Sequence, residues 1–318
     1  MRRSSTVVLA LGLVVGLGLA ACTGEGPDAA GDPSTASTPS VTPLPADVLA
    51  GVTVAIAQSR SDWADRVVQL TVANRGAGPV DIVAAALTSG LFDGPAVPDQ
   101  GRPVPAGTSR SLSVPLGAPR CGDDDGTAPA AAATVTLTLT DSAGRSSTVD
   151  LPADDPRGHL TRIHGEDCAA AAVAAGAELS VADALVVQEV AGELLGSLDL
   201  TLTPRPGGPA VAVTGVDGTV LLAPLTGAAW STPELTTAPP TGTPAPAPDR
   251  PATITTSLAF RPARCDAHAV AEDKRGTFLG VHTTVDGVAQ PVLYLAVTTE
   301  VRGQIHDYIG QACGWPAG

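Results

Sequence analysis

Five cysteines and five histidines are the side chains in this sequence best suited to chemistry. They are Cys22, Cys121, Cys168, Cys265 and Cys313, with His159, His164, His268, His282 and His306. The densest polar cluster is RCDAHAVAEDKRG, Arg264–Gly276, which packs a cysteine, a histidine, acids and bases together. Such a stretch suits a catalytic loop, a metal site or one end of a disulfide. A zinc site needs ligands at fixed helical or hairpin spacing, and no HExxH or similar pattern occurs. His159 and His164, five apart, share a helix face poorly. A copper carrier calls for thioethers, and the single methionine is Met1. GDDDG at Gly122–Gly126 carries clustered carboxylates but lacks the remainder of an EF-hand loop, so it reads as a solvated loop. No GxSxG elbow, SxxK or P-loop is present. The sequence therefore implies no catalytic residues, no metal ligands and no cofactor.

The chain start is more specific. Arg2 and Arg3 precede an apolar run from Val7 to Leu19, broken by Gly12, Gly16 and Gly18 and closed by Leu19-Ala20-Ala21-Cys22. The run is too short for a spanning helix, which needs roughly 20 apolar residues, and reads as an export signal. LAAC followed by a polar stretch resembles the lipobox of bacterial lipoproteins. The resemblance implies cleavage before Cys22 and diacylglycerol on its thiol, with further acylation such as palmitate. Residues 1–21 are then a signal peptide, and the mature chain is lipid-anchored on the extracytoplasmic face of the cell membrane. Residues 22–47, rich in Ser, Thr and Pro, have almost nothing to bury and form a disordered tether. It spans roughly 25–30 Å end to end.

Net charge is −14 and Lys274 is the only lysine. Nucleic acid requires a basic face, so it is not an expected partner. The remaining length suits two domains, and the sequence repeats itself. VQLTVANRGAGPVDIV at Val68–Val83 aligns with LDLTLTPRPGGPAVAV at Leu198–Val213, and Gln58 with Gln188. Downstream, APRC at Ala118–Cys121 aligns with PARC at Pro262–Cys265, and RGHLTRIHGEDC at Arg157–Cys168 with RGQIHDYIGQAC at Arg302–Cys313. The Pro/Thr-rich insert at 231–250 absorbs the difference in offset.

Period-two alternation in Leu198–Thr203 and Thr134–Thr140 predicts half-buried antiparallel strands. Val52–Ile56 and Arg110–Leu116 add others. Turn signals fall at Asn74-Arg75-Gly76, Ser142-Ala143-Gly144 and Asp286-Gly287. The expected fold is mainly β: two tandem immunoglobulin-like antiparallel β-sandwich domains, 48–168 and 179–318. Each carries one disulfide and ends in a short helix, Pro156–Gly165 and Glu300–Gly310. An Ala-rich connector, 169–178, lies between them. The signal and lipobox specifically, and the domains only in general, resemble those of tandem immunoglobulin-like lipoproteins of high-GC Gram-positive bacteria, a likeness that imports no activity.

Lipid uses Cys22, and four cysteines in an oxidising compartment allow three pairings. Equivalent positions of a duplication pair alike, which selects Cys121–Cys168 and Cys265–Cys313. Cys265 thus opens the polar cluster as a structural half-cystine, followed by a one- or two-turn helix with Asp266 as N-cap. A specialised contact belongs where the copies differ: Trp230, beside the insert, and Asp266, His268, Glu272, Asp273, Lys274 and Arg275 form the candidate contact surface. The expected role is a binding or assembly module of the cell envelope, with an envelope protein or glycan as partner. The competing reading is an envelope-directed hydrolase with an unrecognised active site.

Overall fold

The computed structural model describes residues 42–122, 131–238, 253–272 and 276–315. The signal peptide, Cys22 and the tether up to residue 41 lie outside the described residues. So do most of GDDDG, much of the 231–250 insert, and Asp273, Lys274 and Arg275. The fold is mainly β, with three sheets and two disulfides.

In the first half, a one-turn helix α1 (Ala46–Ala50) leads into β1 (Val52–Ala57), β2 (Val67–Asn74), β3 (Val80–Ser89), β4 (Pro103–Val104), β5 (Thr108–Pro115), β6 (Ala133–Asp141) and β7 (Ser146–Asp154). Their order in the sheet is β4-β3-β6-β7-β1-β2-β5. Every pairing is antiparallel except β1 with β7, where Val54 faces Ala153. Alternation drives the packing: Val135, Leu137 and Leu139 of β6 are buried, as are Val68, Leu70 and Val72 of β2. Each such side chain contributes about 1.5–3 kcal/mol on leaving water. Asn74 ends β2 as a buried loop organiser. Its amide donates to the carbonyls of Gly78 and Val104 at 2.9 and 3.0 Å, and its Oδ1 accepts from the Gly76 amide. The residues read as a turn signal are thus a hydrogen-bonded junction between loops.

Helix α2 (His159–Gly176) follows. Asp155 accepts from the backbone amides of His159 and Leu160 at 2.9 and 2.8 Å, satisfying two first-turn donors. The expected short helix ending at Gly165 is corrected here. The helix runs through Gly165 and Cys168 and on through the alanines, whose high helix propensity sustains it. Most of the 169–178 connector is therefore helical. Leu160 and Ile163 pack into the first hydrophobic core and Val173 into the second, so one helix serves both.

The second half holds β8 (Ala177–Val181), β9 (Val186–Val190), β10 (Glu193–Pro204), β11 (Val211–Asp217), β12 (Leu222–Pro224), β13 (Ala229–Trp230) and β14 (Ile254–Pro262). Helix α3 (Ala267–Glu272), β15 (Phe278–Val285), β16 (Val288–Ala289), β17 (Leu293–Ala296) and α4 (Thr299–Ala312) complete it. One sheet runs β12-β14-β10-β8, with β9 also on β10. The other runs β13-β11-β15-β16, with β17 also on β15. Leu198, Leu200 and Leu202 are buried as the alternation requires. Asp286 and Gly287, with φ of 47° and 79°, make the β15–β16 hairpin turn. Helix α4 is N-capped by Thr298, whose hydroxyl accepts from the Val301 amide.

Cys121 is joined to Cys168 with Cα atoms 5.2 Å apart, and Cys265 to Cys313 at 5.4 Å. Each bridge ties the loop after one strand, β5 or β14, to a helix beyond the last strand of its half.

His159 yields a pH prediction. Its Nε2 is buried without a partner, and burial is the chief reason its pKa lies below the ordinary 6.5. The unfolded chain then takes up this proton at higher pH than the folded chain. The stability that His159 contributes is present above about pH 6.5 and falls away as acidification passes through the lowered folded value. His159→Leu should match the parent near neutral pH and melt increasingly above it as pH drops from 6.5 toward 5. Parallel melting curves for the two proteins across that range would refute the assignment.

Candidate ligand-binding cleft

The loop between β1 and β2 is polar in sequence, QSRSDWADR, yet tightly organised. A single 3₁₀ turn, Arg60–Asp62, leads into Trp63. Asp62 accepts from Ser59 and Ser61 hydroxyls and from Gln69 Nε2 at 2.8 Å. Partial burial pushes its pKa upward, but these hydrogen bonds outweigh that and hold it below the usual carboxylate value. Arg66 closes the loop in the left-handed region with φ 53°, a conformation a non-glycine residue adopts only when its surroundings impose it.

Helix α2 supplies those surroundings. The Arg66 guanidinium makes a two-pronged ion pair with Asp167 and donates to the Gly117 carbonyl at 3.0 Å. One turn earlier, Arg162 stacks over the Trp63 ring, its Cζ 4.0 Å from the centroid. The same guanidinium donates to both Glu166 oxygens at 2.8 and 2.9 Å and to Gln58 Oε1. One face of α2 therefore fixes the loop and the Trp63 ring.

The second half contributes Phe278 at the start of β15, with Leu293 and Tyr294 on β17. Trp63 and Tyr294 meet edge to face, centroids 5.9 Å apart and planes at 72°. Beside this pair opens a cleft of about 190 Å³, lined by Arg60, Trp63, Arg66, Glu166, Phe278 and Tyr294 among others. The two carboxylates, Glu166 and Asp167, are each held by a guanidinium, and the Ser61 hydroxyl bonds Asp62 Oδ1. Among the described residues no histidine, cysteine or lysine lines the cleft. Fixed aromatic rings and oriented hydrogen-bonding groups do line it, the features that position a ligand.

Of the contact residues expected from sequence, Trp230, Asp266 and His268 lie elsewhere, and Asp273, Lys274 and Arg275 are outside the described residues. Trp230 is half-buried against the second core; its Nε1 donates to the Ala259 carbonyl at 2.7 Å and its ring meets Phe260 edge-on. Asp266 and His268 are exposed at the start of α3, where the His268 amide donates to Asp266 Oδ1 at 3.1 Å. That matches the capping expected of Asp266. Glu272 ends the helix. Trp230, Asp266 and His268 do not line the cleft. The one group of close metal-ligand atoms among the described residues is Cys121, His164 and Cys168. Both sulfurs are spent in the disulfide, which removes them as thiolate ligands.

The sequence reading passed over Trp63 and Tyr294. Trp63 carried a usable signal: a tryptophan inside a short polar loop between two strands. Tyr294 carried none, because only the packing of α2 beside β15 and β17 brings it to Trp63.

Among the described residues, no helix is long and apolar enough to cross a membrane. No protein-family model and no curated protein matches the chain. Among solved structures, a red sea bream transglutaminase is similar at 12% identity and a TM-score of 0.19, covering 78% of this chain and 31% of that one. An exo-chitosanase, CsxA of Amycolatopsis orientalis, is similar at 15% identity and a TM-score of 0.16, covering 76% and 26%. The chain spans less than a third of either protein, and likeness at these scores carries no argument about activity.

Proposed function

We propose that this chain is a lipid-anchored binding module of the cell envelope, held on the outer face of the membrane through Cys22. Its ligand or partner engages the Trp63–Tyr294 cleft. The cleft carries the reading: rings from distant parts of the chain converge there on hydrogen-bonding groups already fixed by one another. Two disulfides suit an oxidising compartment, and the lipobox supplies the anchor. The strand pairings favour two immunoglobulin-like units. In the first, β2 lies between β1 and β5 while β6 lies between β3 and β7. In the second, β10 lies between β8 and β14 while β15 lies between β11 and β16–β17. An envelope protein and an envelope glycan are both partners of the kind such a module takes.

Two measurements test this. Cys22→Ala should move the protein from the membrane fraction into the medium, or leave the signal uncut; a signal-free variant still on membranes would refute the lipid anchor. Immobilised parent protein should also retain isolated envelope material that Trp63→Ala and Tyr294→Ala retain poorly. Equal retention by all three would remove the cleft from the function.

A further inference from the structure

The geometry points to a specific ligand class for this cleft: the pyranose ring of a neutral carbohydrate, an inference that rests on the binding-module reading above. The chain has only three Trp, two Tyr and three Phe. Most are committed inward. Phe260 and Tyr308 interlock in the second core with Trp230 packed half-buried against them, Phe92 is buried in the first, and Trp315 packs on Gly310 of α4. The remaining three, Trp63, Phe278 and Tyr294, all line the cleft. A chain this poor in aromatics has gathered them where a ligand would lie, and Tyr294 is 38% exposed.

Aromatic faces carry negative charge density. The axial C–H groups on one side of a pyranose carry the complementary positive density and present a flat apolar surface of ring size. Arg162 covers one face of Trp63, so such a sugar meets the corner that Tyr294, set at 72° to the indole, makes with the rest of that ring. The equatorial hydroxyls then point outward, each both donor and acceptor. The lining answers both needs, with guanidinium donors on Arg60 and Arg66 and carboxylate acceptors on Glu166 and Asp167. Both lining carboxylates are already held by guanidiniums, Asp167 by Arg66 and Glu166 by Arg162, so the cleft offers oriented hydrogen-bonding groups more than a field of one sign, which suits a neutral polyol. Because Arg66–Asp167 and Arg162–Glu166 are already paired, the sugar finds its partners oriented and little side-chain freedom is lost on binding. The volume agrees. At about 190 Å³ the cleft is smaller than the ~300–1,000 Å³ of pockets for drug-sized ligands and admits one ring at a time.

The test is titration of the full lipoprotein in detergent with N-acetylglucosamine tetramer and maltotetraose as neutral probes and a galacturonate tetramer as the acidic one, followed by tryptophan fluorescence and calorimetry. At least one neutral probe should bind in the micromolar-to-millimolar range. Its affinity should fall at least tenfold in Trp63→Ala and in Tyr294→Ala, and stay unchanged in Val288→Ser on an exposed hairpin. Tyr294→Ala removes an exposed side chain, so it stays informative where Trp63→Ala loosens the loop. The proposal is overturned if no neutral probe binds, if only the galacturonate binds, or if binding survives both cleft substitutions. Envelope retention separates the two failures. If retention depends on the cleft and survives periodate oxidation of glycans but not protease, the ligand is protein: the carbohydrate assignment falls and the binding module stands.

Discussion

Replacing Cys265 and Cys313 together with alanine should lower the unfolding free energy by about 2–5 kcal/mol. The melting temperature should drop by roughly 4–20 °C, at the 2–4 °C per kcal/mol expected for a folded unit of this size. The bridge spans 48 positions of sequence. In the chain-entropy account a loop of that length contributes about 4 kcal/mol by restricting the unfolded chain. The native surroundings add to the loss. Trp315 Nε1 donates to the Cys265 carbonyl at 3.0 Å and the Trp315 ring lies against Gly310, so the bridge also positions the end of α4. The Cys121–Cys168 bridge spans 47 positions and should show a loss of the same order when removed in the same way. Thermal unfolding of the two double variants with and without reductant is the measurement. Reductant should shift the parent toward the variants and leave a variant lacking both bridges unmoved. A double-alanine variant melting within a degree of the parent would mean that its bridge carries no stability.

Both bridges were legible because they follow from a repeat, and the repeat from residues that do the same job twice. Leu70 and Leu200 are each a buried centre of a strand, β2 and β10, and the alternation around them is local information. The repeat was less exact than the letters suggest. Gly78 and Gly208 align, but for different reasons. A side chain at Gly78 would meet nothing, whereas a Cβ at Gly208 would come within 2.4 Å of the Ala175 carbonyl oxygen on α2. Only the second is required by packing. Upstream the copies diverge: Val52 pairs with Asn74 at the start of β1, but Ala177 pairs with Pro204 at the start of β8. The longer connection in the second copy forms the β9 hairpin, so Gln58 lies in a loop while its counterpart Gln188 lies in a strand.

The length of α2 was illegible for a physical reason. A run of alanine and valine has no polar face to show a period, and Gly165 reads as a stop although here it faces Pro291, with a Cβ at that position 3.5 Å from the proline ring. The cleft was illegible because it depends on where that helix lies. The positions of Arg162, Glu166 and Asp167 along α2 decide which loop they grip, and no local pattern encodes the approach of Tyr294. Trp230 has a second role that its place in the sequence does not show. A tryptophan beside a Pro-rich insert looked like a contact residue, yet its indole N–H is spent on a backbone carbonyl beside the core.

Tyr308→Ala should destabilise the second half by about 3–5 kcal/mol, the range for deleting a large aromatic side chain from a packed core. Tyr308 sits on the buried face of α4, 1% exposed, with Val301, Ile305 and Ile309. Its ring meets Phe260 edge to face at 5.7 Å, and Phe260 in turn meets Trp230 at 6.4 Å. Phe260 lies directly over Gly196 on the neighbouring strand, where a Cβ would stand 2.4 Å from the ring. The aromatic row thus has backbone on one side and helix on the other, and the neighbouring groups have little room to collapse into a cavity. Tyr308→Phe separates packing from polarity. The single phenolic proton is shared between the carbonyls of Leu194 and Phe260, both at 3.1 Å, and burial is the chief cause that raises the phenol pKa above its ordinary 10. Removing the hydroxyl keeps the ring but strips that donor from two carbonyls, which should cost about 1–3 kcal/mol. Denaturant unfolding should therefore rank parent, Tyr308→Phe and Tyr308→Ala in that order. If the phenylalanine variant equals the parent, the hydroxyl contributes nothing there; if it equals the alanine variant, the hydrogen bonds and not the ring packing hold α4 to the sheet.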